Sequence, residues 1–190
     1  MNLWQGKKIR LRGIEPSDAE IFFRWNLNSE RARHLDFVWP PTSKASVQAW
    51  AEDWSKRKLE NDSFHWVIEN SEGEAVGSIS AHDCNPHCGT FSYGIDIELE
   101  HQRKGYASEA IQLVLRYYFE ELRYQKVTVP VHGDNEPSVK LHEKLGFRLE
   151  GTHRRMFYTQ GRLVDVLWFG MTTEEFHDMG TERMGKNIPG

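Results

Sequence analysis

Gln102-Arg103-Lys104-Gly105-Tyr106-Ala107 lies between an alternating stretch, Thr90–Ile97, and a long amphipathic one. Beyond it, Ala107, Ala110, Ile111, Val114, Leu115, Tyr118 and Leu122 fall on one helical face. A strand-to-helix junction presents unpaired backbone N–H groups at the positive end of the helix dipole. Gly105 lets the backbone approach a bulky anion, and small Ala107 keeps the first turn open. Residues 102–108 therefore read as a pyrophosphate cradle. A capped helix start with a convenient glycine is the plainer reading of the same residues. The stretch has neither the Gly-Lys-Ser/Thr of a Walker loop nor the three spaced glycines of a dinucleotide fingerprint.

Downstream, Lys126–His132 alternates Val127, Val129 and Val131 inward, and Pro130 cannot donate a ladder hydrogen bond, so one side of that strand must go unpaired. A helix crossing from 90–97 to 126–132 requires the two strands to run parallel. The pattern then predicts a short helix over 136–144 ending at Gly146, and two long strands, 147–158 and 162–171, around Gln160-Gly161. After Thr173 it predicts one helical turn and then disorder. Upstream, residues 8–14 read as a first strand. Pro16-Ser17-Asp18 starts a helix carrying Ile21, Phe22 and Trp25, and Trp39-Pro40-Pro41-Thr42 breaks the chain. Ser43 or Ser46 caps a second helix to about residue 58, and strands 64–69 and 75–81 form a hairpin around Ser71-Glu72-Gly73. The expectation is one mixed α/β domain over residues 1–172 with a tail, 173–190.

Composition agrees with a globular domain: 190 residues, 38% hydrophobic and 27% charged, with a net charge of −4. That balance argues against gross nucleic-acid binding. No stretch approaches ~18 consecutive apolar residues and the first residues lack a signal-peptide core, so neither a membrane nor export is expected. Two cysteines four apart, Cys84 and Cys88, make no disulfide framework, which points to the reducing cytoplasm.

The Gln-x-x-Gly-x-Ala pattern, preceded by Tyr93-Gly94-Ile95-Asp96-Ile97-Glu98, resembles the coenzyme-A motif of the GCN5-related N-acetyltransferase (GNAT) superfamily. Asn135-Glu136-Pro137-Ser138 and Leu141-His142-Glu143-Lys144-Leu145-Gly146-Phe147 resemble its second motif. Leu11-Arg12, Asp18, Trp25-Asn26, Glu150-Gly151, Gly161 and Asp165 are similar to the branch containing ribosomal-protein alanine N-acetyltransferases.

The resemblance covers residues 8–172. It implies an α/β fold: a mostly antiparallel sheet of about seven strands, one parallel pair, and helices on both faces. It also implies acetyl-CoA as cosubstrate and transfer to a primary amine, either a protein N-terminus or a small amine, in a monomer or homodimer. The alternative is a non-catalytic acyl-CoA sensor. By the resemblance, backbone groups of Ile95 and Ile97 meet the thioester arm, and amides of Gln102, Arg103, Lys104, Gly105, Tyr106, Ala107 and Ser108 meet the pyrophosphate. Asn135, with Ser138, approaches the arm from the other side. His142 stands where many relatives carry a Tyr that protonates the departing thiolate, and neutral His can donate through one ring nitrogen; the plainer reading is that it only flanks the cofactor on a short helix. The amine must lose a proton; Glu98, ahead of Glu100, is the expected base, unless both are solvated rim carboxylates.

His82, Cys84, His87 and Cys88 form a tempting metal cluster. They sit in one local turn, whereas structural zinc sites pair separate segments, so no metal is expected. Trp25 and Trp39 flank the break where the resemblance places an acceptor loop, or simply pack in the core. Glu30, Asp36, Glu52 and Asp53 suit a cationic acceptor or are merely solvated.

Overall fold

Alternating apolar residues build one seven-stranded sheet in a computed structural model that describes residues 2–35, 37–58 and 60–185. In chain order the elements are β1 (Ile9–Arg12), α1 (Ala19–Asn26), α2 (Ser29–Leu35), α3 (Lys44–Lys56), β2 (His65–Asn70), β3 (Ala75–Asn85) and β4 (Thr90–Ile97). Then follow α4 (Tyr106–Arg116), β5 (Lys126–His132), α5 (Glu136–Lys144), β6 (Arg148–Thr159), β7 (Arg162–Thr172) and α6 (Thr173–Gly185). The sheet order is β1-β2-β3-β4-β5-β7-β6, and β4–β5 is its one parallel pair.

The two faces are packed differently. On one, α4 lies over the odd-numbered side chains of β3, β4 and β5. Ile79, Phe91, Tyr93, Val127 and Val129 meet Ala110, Ile111, Val114 and Tyr118 there. On the other, Phe22, Trp25, Val47 and Ala51 of α1 and α3 close over Val67 of β2. Local chemistry sets the entries. Pro16 opens a 3-10 turn into α1, Ser43 Oγ accepts the Ser46 N–H at the start of α3 (3.1 Å), and Gly146 (φ +86) takes the left-handed turn after α5. Arg12 fastens the edge: it grips Asp18 with two bonds (2.7 and 2.8 Å) and reaches Glu69 through Nε at 2.7 Å.

Four elements differ from the expectation. The first strand spans only Ile9–Arg12. The long helix ends as an α-helix at Arg116 and widens into a π turn, Tyr117–Glu121. That turn seats Tyr118 flat on Phe91 (4.1 Å) and Tyr117 against Trp4 (4.7 Å). α2 was not expected at all. The single turn expected after Thr173 is a helix of 13 residues, anchored by Phe176 on Phe119 (5.5 Å) and by Glu175 on Arg148 (2.8 Å). The disorder expected beyond it falls on residues 186–190, outside the described residues.

Candidate active site

Strands β4 and β5 pair only at Thr90↔Lys126 and Phe91↔Val127, then diverge. Strand parity fixes which backbone groups line the opening. The Glu98 N–H donates to Val76 O (2.9 Å), so even-numbered β4 residues address β3 and Tyr93, Ile95 and Ile97 address the opening. On the other side, the Lys126 N–H donates to Gly89 O and the Gly133 N–H to Asp165 O. Even-numbered β5 residues thus face β4, and the N–H that Pro130 lacks would have pointed there. Backbone groups left in such a wedge need polar partners. An amide-bearing arm lying as an extra strand supplies them.

At the mouth of the wedge stands the start of α4. Arg103 (φ +62) and Gly105 (φ +88) both take left-handed conformations and bring the chain round to the helix. No side chain caps it, and its first intrahelical bond runs from the Glu109 N–H to Gly105 O (3.2 Å). The N–H groups of Tyr106, Ala107 and Ser108 are therefore without intrahelical partners at the positive end of the dipole. A Cβ on Gly105 would sit 3.0 Å from Lys8 Nζ, which itself donates to Lys104 O at 2.8 Å. Lys8 brings a cation to the cradle from a residue 96 positions away, and no local sequence signal marks it.

Gln102 plays a different part. Its N–H donates to Leu99 O (3.3 Å) and its side-chain Nε2 to Ile97 O (3.1 Å). The Ile97 carbonyl is thereby taken, leaving the Ile97 N–H as that residue's group toward the wedge. Asn135, across the wedge beyond the end of β5, caps α5 by accepting the Ser138 N–H (3.2 Å).

Glu98 points by parity to the α1–α3 face, with Asp96. A 3-10 turn, Leu99–His101, ends the strand alternation there, and the ligand-type atoms of Glu98, Glu100 and His101 gather within 4.8 Å of one another. Among the described residues this is the one such grouping of His, Cys, Asp and Glu. Cys84 Sγ instead donates to Asp62 O (3.1 Å), and His82 Nδ1 meets Asp83 (3.0 Å).

His142, the expected acid, lies inside the fold. It is only 1% exposed, between Phe169 and Tyr93, and burial lowers its pKa. Its Nδ1 lies 2.8 Å from Ser138 O, an obligate acceptor, so Nδ1 carries the proton; Nε2 then accepts from the Tyr93 hydroxyl at 2.9 Å. The one N–H of this neutral ring is committed to α5. Trp25 is buried in the core while Trp39 is 68% exposed; Asp36 lies outside the described residues.

The family model described as Acetyltransferase (GNAT) domain matches residues 8–148. The chain is 40% identical over 173 residues to the SPbeta prophage-derived uncharacterized N-acetyltransferase YokL of Bacillus subtilis (strain 168), covering 91% of this chain and 94% of that one. It is 29% identical to the spermidine N(1)-acetyltransferase of Vibrio cholerae, over 84% of this chain and 90% of the relative. In fold it is similar to a crystal structure of a spermidine N-acetyltransferase from Vibrio cholerae in complex with CoA and spermine. There the TM-score is 0.80 at 23% identity, covering 90% and 99% of the two chains. A wedge between parallel strands beside an uncapped helix start is thus framed by a sequence match over most of the chain, and the chain belongs to the GNAT family of N-acetyltransferases.

Proposed function

We propose that this chain moves the acetyl group of acetyl-CoA to a primary amine by direct attack. The observation that carries the reading is the divergence of β4 and β5 beside the uncapped start of α4. The wedge suits the amide-bearing arm of the cosubstrate, through Ile95 and the Ile97 N–H. The N–H groups of residues 105–108 suit its pyrophosphate, with Arg103, Lys104 and Lys8 adding positive charge. Asn135 closes the opposite wall. The spermidine-acetylating relative supports a small amine as acceptor.

The thioester supplies an activated acetyl carbon. The Ile97 N–H donates to its carbonyl oxygen as negative charge develops there. The neutral amine forms the N–C bond, the C–S bond breaks, and the thiolate leaves and takes a proton from solvent, because the His142 N–H is held by Ser138. Glu98, on the α1–α3 face at the end of β4, takes the proton the amine loses. Binding in one cleft lowers the barrier by positioning alone, without a covalent acetyl-enzyme. Cys84 and Cys88 lie at the other end of the β3–β4 ladder, where Asn85 pairs Thr90 while Gly77 pairs Ile97. Seven residues of strand put them about 20 Å away, and burial pushes the Cys84 thiol up.

The test is thiol release from acetyl-CoA across an amine panel, paired with calorimetric binding of acetyl-CoA. Amine-dependent release with sequential kinetics supports the reading; tight binding with no release to any amine selects the sensor alternative. A Cys84→Ser, Cys88→Ser variant keeps nearly full activity, and an acetylated cysteine trapped in the wild type overturns direct attack.

A further inference from the structure

The α1–α3 face of β4 is unusual for a covered sheet. Its floor is polar: Ser78 and Ser80 of β3 stand beside Asp96 and Gly94 of β4 in register. Three buried side-chain atoms of this region or packed onto it, Trp25 Nε1, Arg31 Nε and Ser92 Oγ, have no hydrogen-bond partner among the described residues, while Asp96 Oδ2 meets the Arg31 guanidinium. Buried polar atoms are rarely left so, and a cluster of them calls for a functional reason. Arg31 of α2, 6% exposed, lies over the Trp25 ring (4.4 Å) and is ion-paired with Asp96, the residue between Ile95 and Ile97. Burial lowers the Arg31 guanidinium to about 10, against the opposing charge of Glu98, so it stays a cation at neutral pH.

Beside this pair opens a cavity of about 370 Å³ whose lining includes Phe22, Asn26, Arg31, Trp50, His65 and Ser78. Among the described residues no carboxylate lines it. Asp96, the acid next to it, already faces a cation. His65 is held neutral, pushed down to about 4 by burial, with its ring set edge-to-face against Phe22, Trp50 and Trp54. A second ammonium would find, among the described residues, one fixed cation, no carboxylate in the lining and an Arg31 N–H donor it cannot satisfy. A carbonyl oxygen satisfies such a donor, and the aromatic walls take apolar surface.

We propose that this cavity receives the body of the acceptor and selects a primary amine that carries a carbonyl group and an apolar or aromatic substituent, in preference to a polyamine. The inference rests on the amine-acetylation reading above and sharpens its acceptor. Arg31 supplies the donor, and Phe22 and Trp50 the apolar wall. The cavity meets the sheet at Ser78, whose register partner Asp96 is one residue from Ile97, so an amine held there reaches the acetyl group from the Glu98 side.

Three probes separate the possibilities: L-phenylalaninamide, 2-phenylethylamine, which lacks the carbonyl, and spermidine. Wild-type kcat/KM, followed by thiol release, should fall at least tenfold from the first to the second and at least tenfold again to spermidine. Arg31→Gln alone would strand Asp96, so it is paired with Asp96→Asn. The double variant should lose at least tenfold on phenylalaninamide, mainly through KM, and stay within about threefold on 2-phenylethylamine. Trp50→Ala should lower both aromatic probes together. Spermidine as the best of the three, or equal losses on both aromatic probes in the double variant, overturns the acceptor assignment and leaves acetyl transfer standing. No release with any probe while calorimetry still shows acetyl-CoA bound overturns both.

Discussion

Gly105 serves two needs at once: it takes φ +88 at the entry to α4, and it keeps side-chain atoms out of the space where phosphates approach. Gly105→Asp adds a Cβ in a left-handed conformation, costing about 1–2 kcal/mol of stability, and places a negative charge at the cradle. Lys8 Nζ, the nearest neighbour, ends a flexible side chain and can give way, so the variant folds. Its Kd for acetyl-CoA by calorimetry should rise at least tenfold. Gly105→Ala carries the same strain without the charge and should lose far less, and equal losses would show that shape alone matters there. Glu98 is tested through pH. Glu98→Gln should lower kcat by about 10²-fold on the acid limb, a usual share for a general base. The deficit should narrow as pH rises toward the amine's own pKa, where free amine no longer needs a base. A variant profile parallel to the wild type at every pH would remove Glu98 from proton transfer.

At the scale of elements, α4 is fixed to the sheet edge by one acid. Glu109, in its first turn, accepts the backbone N–H groups of Lys7, Lys8 and Ile9 at 2.6, 2.8 and 3.1 Å. Glu109→Ala strands these donors and should cost about 2 kcal/mol in urea unfolding, in line with hydrogen bonds to charged groups. Acetyl-CoA affinity should fall with it, because Lys8 is carried on the same segment. Such long-range ties mark the limit of what the sequence discloses. β4, β5 and α5 have the bounds their patterns predict, because alternation or helical spacing runs unbroken to a turn residue in each. α2 carries no such pattern: Ser29–Leu35 offers only Ala32 and Leu35 as apolar residues, and its buried anchor is an arginine paired with a distant aspartate. α6 likewise depends on Phe119 and Arg148, far from its own composition. In the site, the cradle is legible because glycine and helix start are neighbours in the chain. The role of His142 is not, because Tyr93, 49 residues away, and the Ser138 carbonyl decide which nitrogen holds the proton.

Across the whole molecule, each face of the sheet holds a histidine kept neutral: His65, half-buried among the aromatic rings of α1 and α3, and His142, fully buried between Tyr93 and Phe169. Burial holds both folded-state pKa values below the ordinary ~6.5, His65 at about 4. Between those limits the unfolded chain binds more protons than the folded one, so stability falls as pH drops from about 6.5 toward 4. The carboxylates act lower on the scale. Burial pushes Asp18 up but the Arg12 hydrogen bonds prevail, and Arg10, with Arg12, holds Glu69 down against its own burial. Their contribution is present above the ordinary carboxylate pKa and is lost only as pH falls through their lowered values. The histidine and carboxylate windows are therefore separable. By pH 5 His65 alone should cost about 1–2 kcal/mol, visible in calorimetry as a lower Tm than at pH 7.5. His65→Phe, which keeps a ring among Phe22, Trp50 and Trp54, should flatten that slope between pH 7 and 5 while leaving the decline below pH 4 in place. An unchanged slope in that variant would assign the acid lability to His142 and the face beneath α4 and α5.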